Sequence, residues 1–206
     1  VKPNWEGSSK GILNSSVVSD AADLSREAAR IWENYRQPAL VEEFLEGREF
    51  TVALLGNGPD LEALPIVEIS LDCLPPSARR IYSYEAKWVW DRPENPLPIH
   101  RCPAEIPRAL AARIRDLSIQ AFNALGCRDW CRVDLRADAA GDIRVLEVNP
   151  LPGILPDPRD NSCLPTAARA AGLSYDDLIL KVLDAAGKRQ ALESRATLAS
   201  PKIASA

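Results

Sequence analysis

With 206 residues, 46% of them apolar and 26% charged, the chain is large enough to bury a real core and has the composition of a globular protein, not a disordered or fibrous one. A formal net charge of −4 argues against nucleic acid as a partner but leaves room for a nucleotide ligand, which needs only a few well-placed cations. No apolar run is long enough to span a membrane, and no basic start with an apolar core marks a signal peptide.

The five cysteines (Cys73, Cys102, Cys127, Cys131, Cys163) form no CxxC pair, and His100 alone cannot complete a zinc site, so reduced thiols in a cytoplasmic protein are expected. The sequence begins at Val1 and contains no methionine, which points to a portion of a longer protein whose N-terminal part is missing.

In chain order, VKPNWEGSSKGI reads as a strand end running into a glycine/serine loop. Its backbone can approach a ligand closely and offer N–H groups to phosphate, although it does not match the P-loop pattern. Leu24, Ala28, Ile31, Trp32 and Tyr35 recur at helical spacing over 20–35, with Ser19 or Asp20 as cap, and the aromatics there are expected in the core. ALVEEFLEG is extended, EFTVALLG (49–56) is a strand, Gly56-Asn57-Gly58 is a turn, and LEALPIVEIS is a further strand.

Residues 72–101 are proline-rich and irregular, with Lys87 set among Tyr84, Trp88 and Trp90. They read as a surface loop over packed aromatics or as a lid carrying a cation. A helix over 107–125 buries Leu110, Ile114, Leu117, Ala121 and Leu125 and stops at Gly126. After 153, a loop leads to a short helix from Pro165 to Gly172, and Ser174 with Asp177 boxes the start of a last helix near 175–186. The tail from Gly187 lacks a sustained apolar stripe and is expected to be frayed.

The stretch RVDLRADAAGDIRVLEVNPLPG (132–153) reads as two alternating strands joined by a turn at 137–142. Pairing Asp134 with Glu147 sets Arg132 opposite Asn149 and Arg136 opposite Val145. One face then carries Arg132, Asp134, Glu147 and Asn149, and the other Val133, Leu135, Leu146 and Val148. Two carboxylates and an amide oxygen on one patch suit a hard cation such as Mg²⁺. They equally suit a solvated sheet face with cross-strand charge pairs.

Taken in order, Lys-Pro with EGSSKG, VEEFLEGREFTVALLG, YEAKW, RVDLR and LEVNPLPG resemble the ATP-grasp fold and, within it, the D-alanine–D-alanine ligase family, up to about Ala186. The resemblance implies an α+β chain of two lobes, with largely antiparallel sheets gripping the nucleotide between them. Residues 1–48 would belong to the smaller lobe, 49–187 to the C-terminal lobe with the metal site, and 188–206 to a flexible tail.

It also implies residue roles. Lys2 and Lys87 would contact the nucleotide phosphates, and the loop Glu6, Gly7, Ser8, Ser9 to Gly11 would close over them. Glu42 would accept the adenine amino group, Leu45 would offer its backbone to the ring edge, and Glu49 would grip the ribose hydroxyls. Asp134, Glu147 and Asn149 would hold two Mg²⁺ ions, with Mn²⁺ as a substitute, and Arg132 would stabilise the anionic transition state. Ser8 would join the substrate-facing hydrogen bonds, and Ser162 would be the substrate-binding serine.

The reaction implied is a ligation. A carboxylate takes the γ-phosphoryl group of ATP to give an acyl phosphate, and an amine then displaces phosphate, as in D-alanyl-D-alanine formation for cell-wall precursors. The expected partners are small amino-acid substrates, with neither nucleic acid nor membrane involved, and a homodimer would form through the missing N-terminal domain.

Three positions depart from the family pattern. Pro150 follows Asn149 and ILPDPRDNSCLP is longer, Trp88 replaces Tyr or Phe, and Glu43 replaces a lysine. The nucleotide half of the site is therefore kept and the acceptor half altered. This leaves as alternatives a ligase for another amino acid or peptide, and a nucleotide-binding module without catalysis.

Overall fold

The computed structural model describes residues 1–92 and 94–199. A small two-stranded antiparallel sheet pairs β1 (Lys2–Pro3) with β2 (Ala39–Leu40), matching Lys2 with Leu40. Between these strands runs α1 (Ala21–Tyr35). It is capped by Asp20, whose side chain accepts from the Asp23 amide at 2.8 Å, and it ends on Arg36 in the left-handed conformation.

The larger sheet is wholly antiparallel. Its strands are β3 (Glu49–Leu55), β4 (Glu62–Ala63), β5 (Val67–Ile69), β6 (His100–Arg101), β7 (Trp130–Ala137) and β8 (Ile143–Asn149). The order is β6-β5-β3-β7-β8, with β4 also paired to the end of β3. Helices α2 (Arg108–Ala124), α3 (Cys163–Ala170) and α4 (Tyr175–Ala199) cover it. This mixture of helices with antiparallel sheet is the α+β class expected from the motifs.

Alternation along the two central strands decides where chemistry can sit. Phe50, Val52 and Leu54 of β3 and Cys131, Val133 and Leu135 of β7 pack with Ile114 and Phe122 of α2 in one buried cluster. The intervening residues Ala53 and Leu55 pack with Leu164, Ala167, Ala168 and Leu178 in a second cluster beneath α3 and α4. Glu49, Thr51, Arg132, Asp134 and Arg136 share that second face by the period-2 rule, and they gather at the end of it that the apolar cluster leaves open.

Several expectations are corrected. Trp32 is 57% exposed, and α1 instead buries Ile31 and Glu27, because successive helix positions lie about 100° apart and Trp32 falls on the flank of the Ile31 stripe. Leu125 is 67% exposed, and Phe122 and Ser118 carry the buried stripe of α2 with Ile114. The short helix begins at Cys163, two residues before the proline.

Pairing of β7 with β8 begins as expected (Arg132 with Asn149, Asp134 with Glu147) but is broken by a bulge after Asp134. Leu135 faces Val145 and Arg136 faces Arg144. The extra residue turns Leu146 outward, 39% exposed, so it does not join the apolar face. The last helix runs to Ala199 instead of stopping near 186. Arg189 donates to both Asp129 carboxylate oxygens at 3.0 and 2.8 Å, and Asn57 Nδ2 donates to the Ala185 carbonyl. Residues 200–206 of the predicted tail lie outside the described residues.

Gly47 marks where the linker between the sheets meets β7. Its amide donates to the Ala137 carbonyl at 2.9 Å, and a Cβ there would stand 2.6 Å from both that oxygen and the Ala137 Cβ. Gly47→Ala is expected to cost about 1–3 kcal/mol, read as a lowered urea midpoint with an unchanged slope, because neither neighbour can rotate away.

Candidate functional site

The centre of the site is a ladder of charge on the free end of β7 and β8. Arg132 donates to Asp134 through Nε at 2.8 Å and Nη2 at 2.7 Å, and its Nη2 lies 3.5 Å from Glu147 Oε1. Asn149 Nδ2 reaches Glu147 Oε1 at 2.8 Å and Asp134 Oδ2 at 3.3 Å. Thr51, one strand over, donates its hydroxyl to Asp134 Oδ1 at 2.6 Å. Thr51 lies inside VEEFLEGREFTVALLG but carries none of the roles that the resemblance implies. The signal that finds it is the register of β3 on β7, which sets it opposite Asp134.

The four residues expected to converge do so, on the second face of the sheet. Among the described residues no cluster of three or more His, Cys, Asp or Glu is arranged to hold a metal, so a cation here would rest on two carboxylates and an amide. The donor set fits a hard divalent ion. All three side chains offer oxygen, and turning the Asn149 amide over presents Oδ1 where Nδ2 now points. Arg132 holds the carboxylates together in the meantime and would have to yield part of its grip.

Lys87 lies in a π-helical turn, Ala86–Trp90, within the segment expected to be irregular. Such turns are rare and cluster at functional sites. Its ammonium sits 5.7 Å from the ring centres of both Tyr82 and Trp88. Burial pulls its pKa below the ordinary lysine value, Arg132 adds to that, and Asp134 and Glu147 oppose it, so Lys87 lies within the field of the ladder.

The glycine/serine loop is closed onto this turn. Ser9 Oγ donates to the Tyr82 carbonyl at 2.7 Å, the Tyr84 amide to the Ile12 carbonyl at 2.7 Å, and the Trp88 indole N–H to the Ser8 carbonyl at 2.9 Å. Ser8 and Ser9 both hold positive φ, 53° and 60°, a costly choice for two consecutive non-glycine residues and a mark of constrained function. Glu6 pairs with Lys10 at 2.9 Å and accepts from Gln37 at 3.0 Å, which fixes the loop's base. Nothing lies within 4 Å of a Cβ built on Gly7, so that side of the loop is open to a ligand.

Lys2 and Glu42 are an ion pair at 2.5 Å, Leu45 is half-buried, and Glu49 pairs with Arg136 at 3.1 Å. Burial lifts the Glu49 carboxyl to about 7 against the pull of Arg136.

Ser162 stands elsewhere. Its Oγ accepts from the Leu155 amide at 3.2 Å and donates to the Gly153 carbonyl at 3.1 Å, closing the 153–162 loop, and it is 7% exposed. Its one donor is committed, so without breaking these bonds the hydroxyl could meet a substrate only as an acceptor. The loop is tied down further by Asn161, which donates to Asp91 at 2.6 Å, and by Tyr175 to the Ile154 carbonyl at 3.0 Å.

Beside that loop Cys163 Sγ lies 3.3 Å from His100 Nε2. Burial lifts the thiol to about 12 and drops the imidazole to about 4, so the pair is neutral and no nucleophile. The unfolded chain takes up a proton near pH 6.5 that the folded imidazole refuses until about 4, and stability therefore falls as pH drops through that window. His100→Asn is expected to remove that fall, on the order of 2–3 kcal/mol, in urea melts at pH 7 and 4.5.

An antiparallel sheet with a carboxylate ladder, a lysine turn within its field and a glycine/serine loop closed onto that turn is the arrangement of an ATP-grasp protein. Residues 1–184 match the family described as "D-ala D-ala ligase C-terminus", and the chain belongs to that family.

D-alanine–D-alanine ligase B of Chromobacterium violaceum is 37% identical over 184 residues, 89% of this chain and 53% of that protein. Uncharacterized protein y4sG of Sinorhizobium fredii is 40% identical over 189 residues, 92% of this chain and 52% of its own. Among solved structures, the VanG D-Ala:D-Ser ligase of Enterococcus faecalis superposes with a TM-score of 0.65 at 26% identity, over 89% of this chain and 48% of that one. The chain spans about half the length of the curated relatives it matches.

Proposed function

We propose that the protein acts as, or within, a cytoplasmic ATP-dependent carboxylate–amine ligase that joins two amino acids through an acyl phosphate. The observation that carries this reading is the ladder of Arg132, Asp134, Glu147 and Asn149 on one sheet face within the field of Lys87.

Lys2 and Lys87 bind phosphate oxygens, Glu42 and Leu45 the adenine edge, and Glu49 the ribose hydroxyls. Arg132 faces the reacting centre and stabilises charge that develops on it. Asp134, Glu147 and Asn149 hold Mg²⁺, which when bound neutralises the phosphate oxygens. The loop carrying Glu6, Gly7, Ser8 and Ser9 excludes water, which matters because an acyl phosphate hydrolyses readily. Ser162 contacts the amino-acid substrate once the 153–162 loop loosens.

The alternative, a ligase for another amino acid or peptide, rests on Trp88, which donates its indole N–H to the Ser8 carbonyl, and on the 153–162 loop, which is closed on itself. The matched ligase named for D-Ala and D-Ser shows that members of this fold differ in the second amino acid.

The test is ADP and phosphate formation by the whole protein with ATP, Mg²⁺ and a panel of D- and L-amino acids. The reading expects ADP only when an amino acid is present, matched by a dipeptide. ADP formation that ignores every amino acid would point to a nucleotide hydrolase, and binding without turnover to a module that has lost catalysis.

A further inference from the structure

Arg136 closes the RVDLR strand and carries none of the roles that the resemblance implies, yet it is 4% exposed and the one buried arginine among the described residues. Each arm of its guanidinium is committed. Nη1 lies 3.1 Å from Glu49 Oε2, Nη2 donates to the Arg80 carbonyl at 2.6 Å, and Nε donates to the Gly47 carbonyl at 3.2 Å. Its flat face lies 5.0 Å from the centre of the Phe44 ring. One side chain thus joins three separate stretches, namely the linker of Phe44 and Gly47, the first residue of β3, and the segment leading to the lysine turn.

Burial works against both partners of the Glu49–Arg136 pair, raising the carboxyl and lowering the guanidinium. Two buried charges of this kind add little to stability, since apolar residues of the same volume usually do as well. What the pair supplies is position. It engages Glu49 Oε2 and leaves Oε1 to accept from a ligand.

We propose that Arg136 is a positioning residue for nucleotide binding, which aims the Glu49 carboxylate at the ribose hydroxyls and holds the 44–47 linker beside it. This rests on the reading of Glu49 as the ribose acid and extends it to a residue to which the resemblance gives no role. A guanidinium fixed by two backbone carbonyls and an aromatic face cannot swing, so the carboxylate it grips is fixed as well. Without it Glu49 would be a buried acid free to protonate or to turn towards Arg132.

The experiment compares calorimetric binding of ATP and of 2′,3′-dideoxy-ATP, both with Mg²⁺, to the wild-type protein, Arg136→Met and Arg136→Lys, with urea melts to verify folding. Wild type is expected to prefer ATP. Arg136→Met should lose roughly 10- to 100-fold in ATP affinity and less than threefold for the dideoxy analogue, and Arg136→Lys should recover part of the loss. Equal losses for the two nucleotides, or no loss for either, would overturn the proposal while leaving the ribose reading of Glu49 in place. A wild-type protein that binds the two nucleotides alike would remove Glu49 from the ribose and the proposal with it.

Should Arg136→Met fail to fold, Arg136→Lys decides alone. It keeps the charge but cannot reach Glu49, Arg80 and Gly47 together, and a selective loss for ATP supports the proposal where an unselective one defeats it.

Discussion

Asp134→Asn should abolish Mg²⁺-dependent turnover of the whole protein, by roughly 10³-fold or more, while leaving the urea midpoint within about 1 kcal/mol of wild type. Asp134 accepts from Thr51, from two arms of Arg132 and from Asn149, and is the member of the ladder that every other member touches or faces. The amide replacement keeps the shape and, with one oxygen left, two of the four hydrogen bonds, and it removes the charge that a hard cation needs. It also takes from Arg132 one ion-pair partner, and the loss of stability stays small because Glu147, 3.5 Å from Arg132 Nη2, remains as a counter-charge. Turnover measured across a Mg²⁺ titration separates the causes. A metal ligand gives a variant that excess Mg²⁺ rescues in part, whereas a merely structural acid gives one that Mg²⁺ does not affect. If turnover survives both Asp134→Asn and Glu147→Gln, the metal assignment fails.

Lys87→Met should move activity and stability in opposite directions. The Lys87 ammonium is largely buried over two aromatic rings, with no carboxylate within ion-pair distance among the described residues. A buried cation without a counter-ion is costly, and its lowered pKa records that cost. Methionine has nearly the same length, keeps the contact with Tyr82 and Trp88, and removes the charge. Folding stability should be unchanged or raised by about 1 kcal/mol, while turnover should fall by about 10²–10³-fold through loss of a fixed cation on the phosphates. A parallel loss of both stability and activity would mark Lys87 as a packing residue.

Much of this site can be read from the chain because strand periodicity is so direct. Arg132, Asp134, Glu147 and Asn149 alternate with apolar residues, and pairing 134 with 147 puts all four on one face, as found. The bulge after Asp134 could not be read, since it depends on how β8 fits α2 and not on its own pattern, and it moved Leu146 to the surface. Trp32 misled for a related reason. Helical spacing shows which residues share a stripe but not how wide the buried part of it is, and Trp32 falls on its flank.

Lys87 was legible as a cation among aromatics, but the π-helical turn that holds it has no sequence signature. Thr51, Arg136 and Gln37 stayed hidden because their partners lie 83, 87 and 31 residues away in sequence. The helix after Gly187 was missed because an ion pair to Asp129 anchors it in place of an apolar stripe.

The central claim is that the ladder holds a hard cation shared with nucleotide phosphates. Calorimetric titration of ATP into the protein with and without Mg²⁺ tests it most directly. The account predicts that Mg²⁺ tightens ATP binding by about tenfold or more and that Glu147→Gln removes that gain but keeps the weaker metal-free binding. Binding of equal strength with and without Mg²⁺, unchanged by Glu147→Gln, would contradict it.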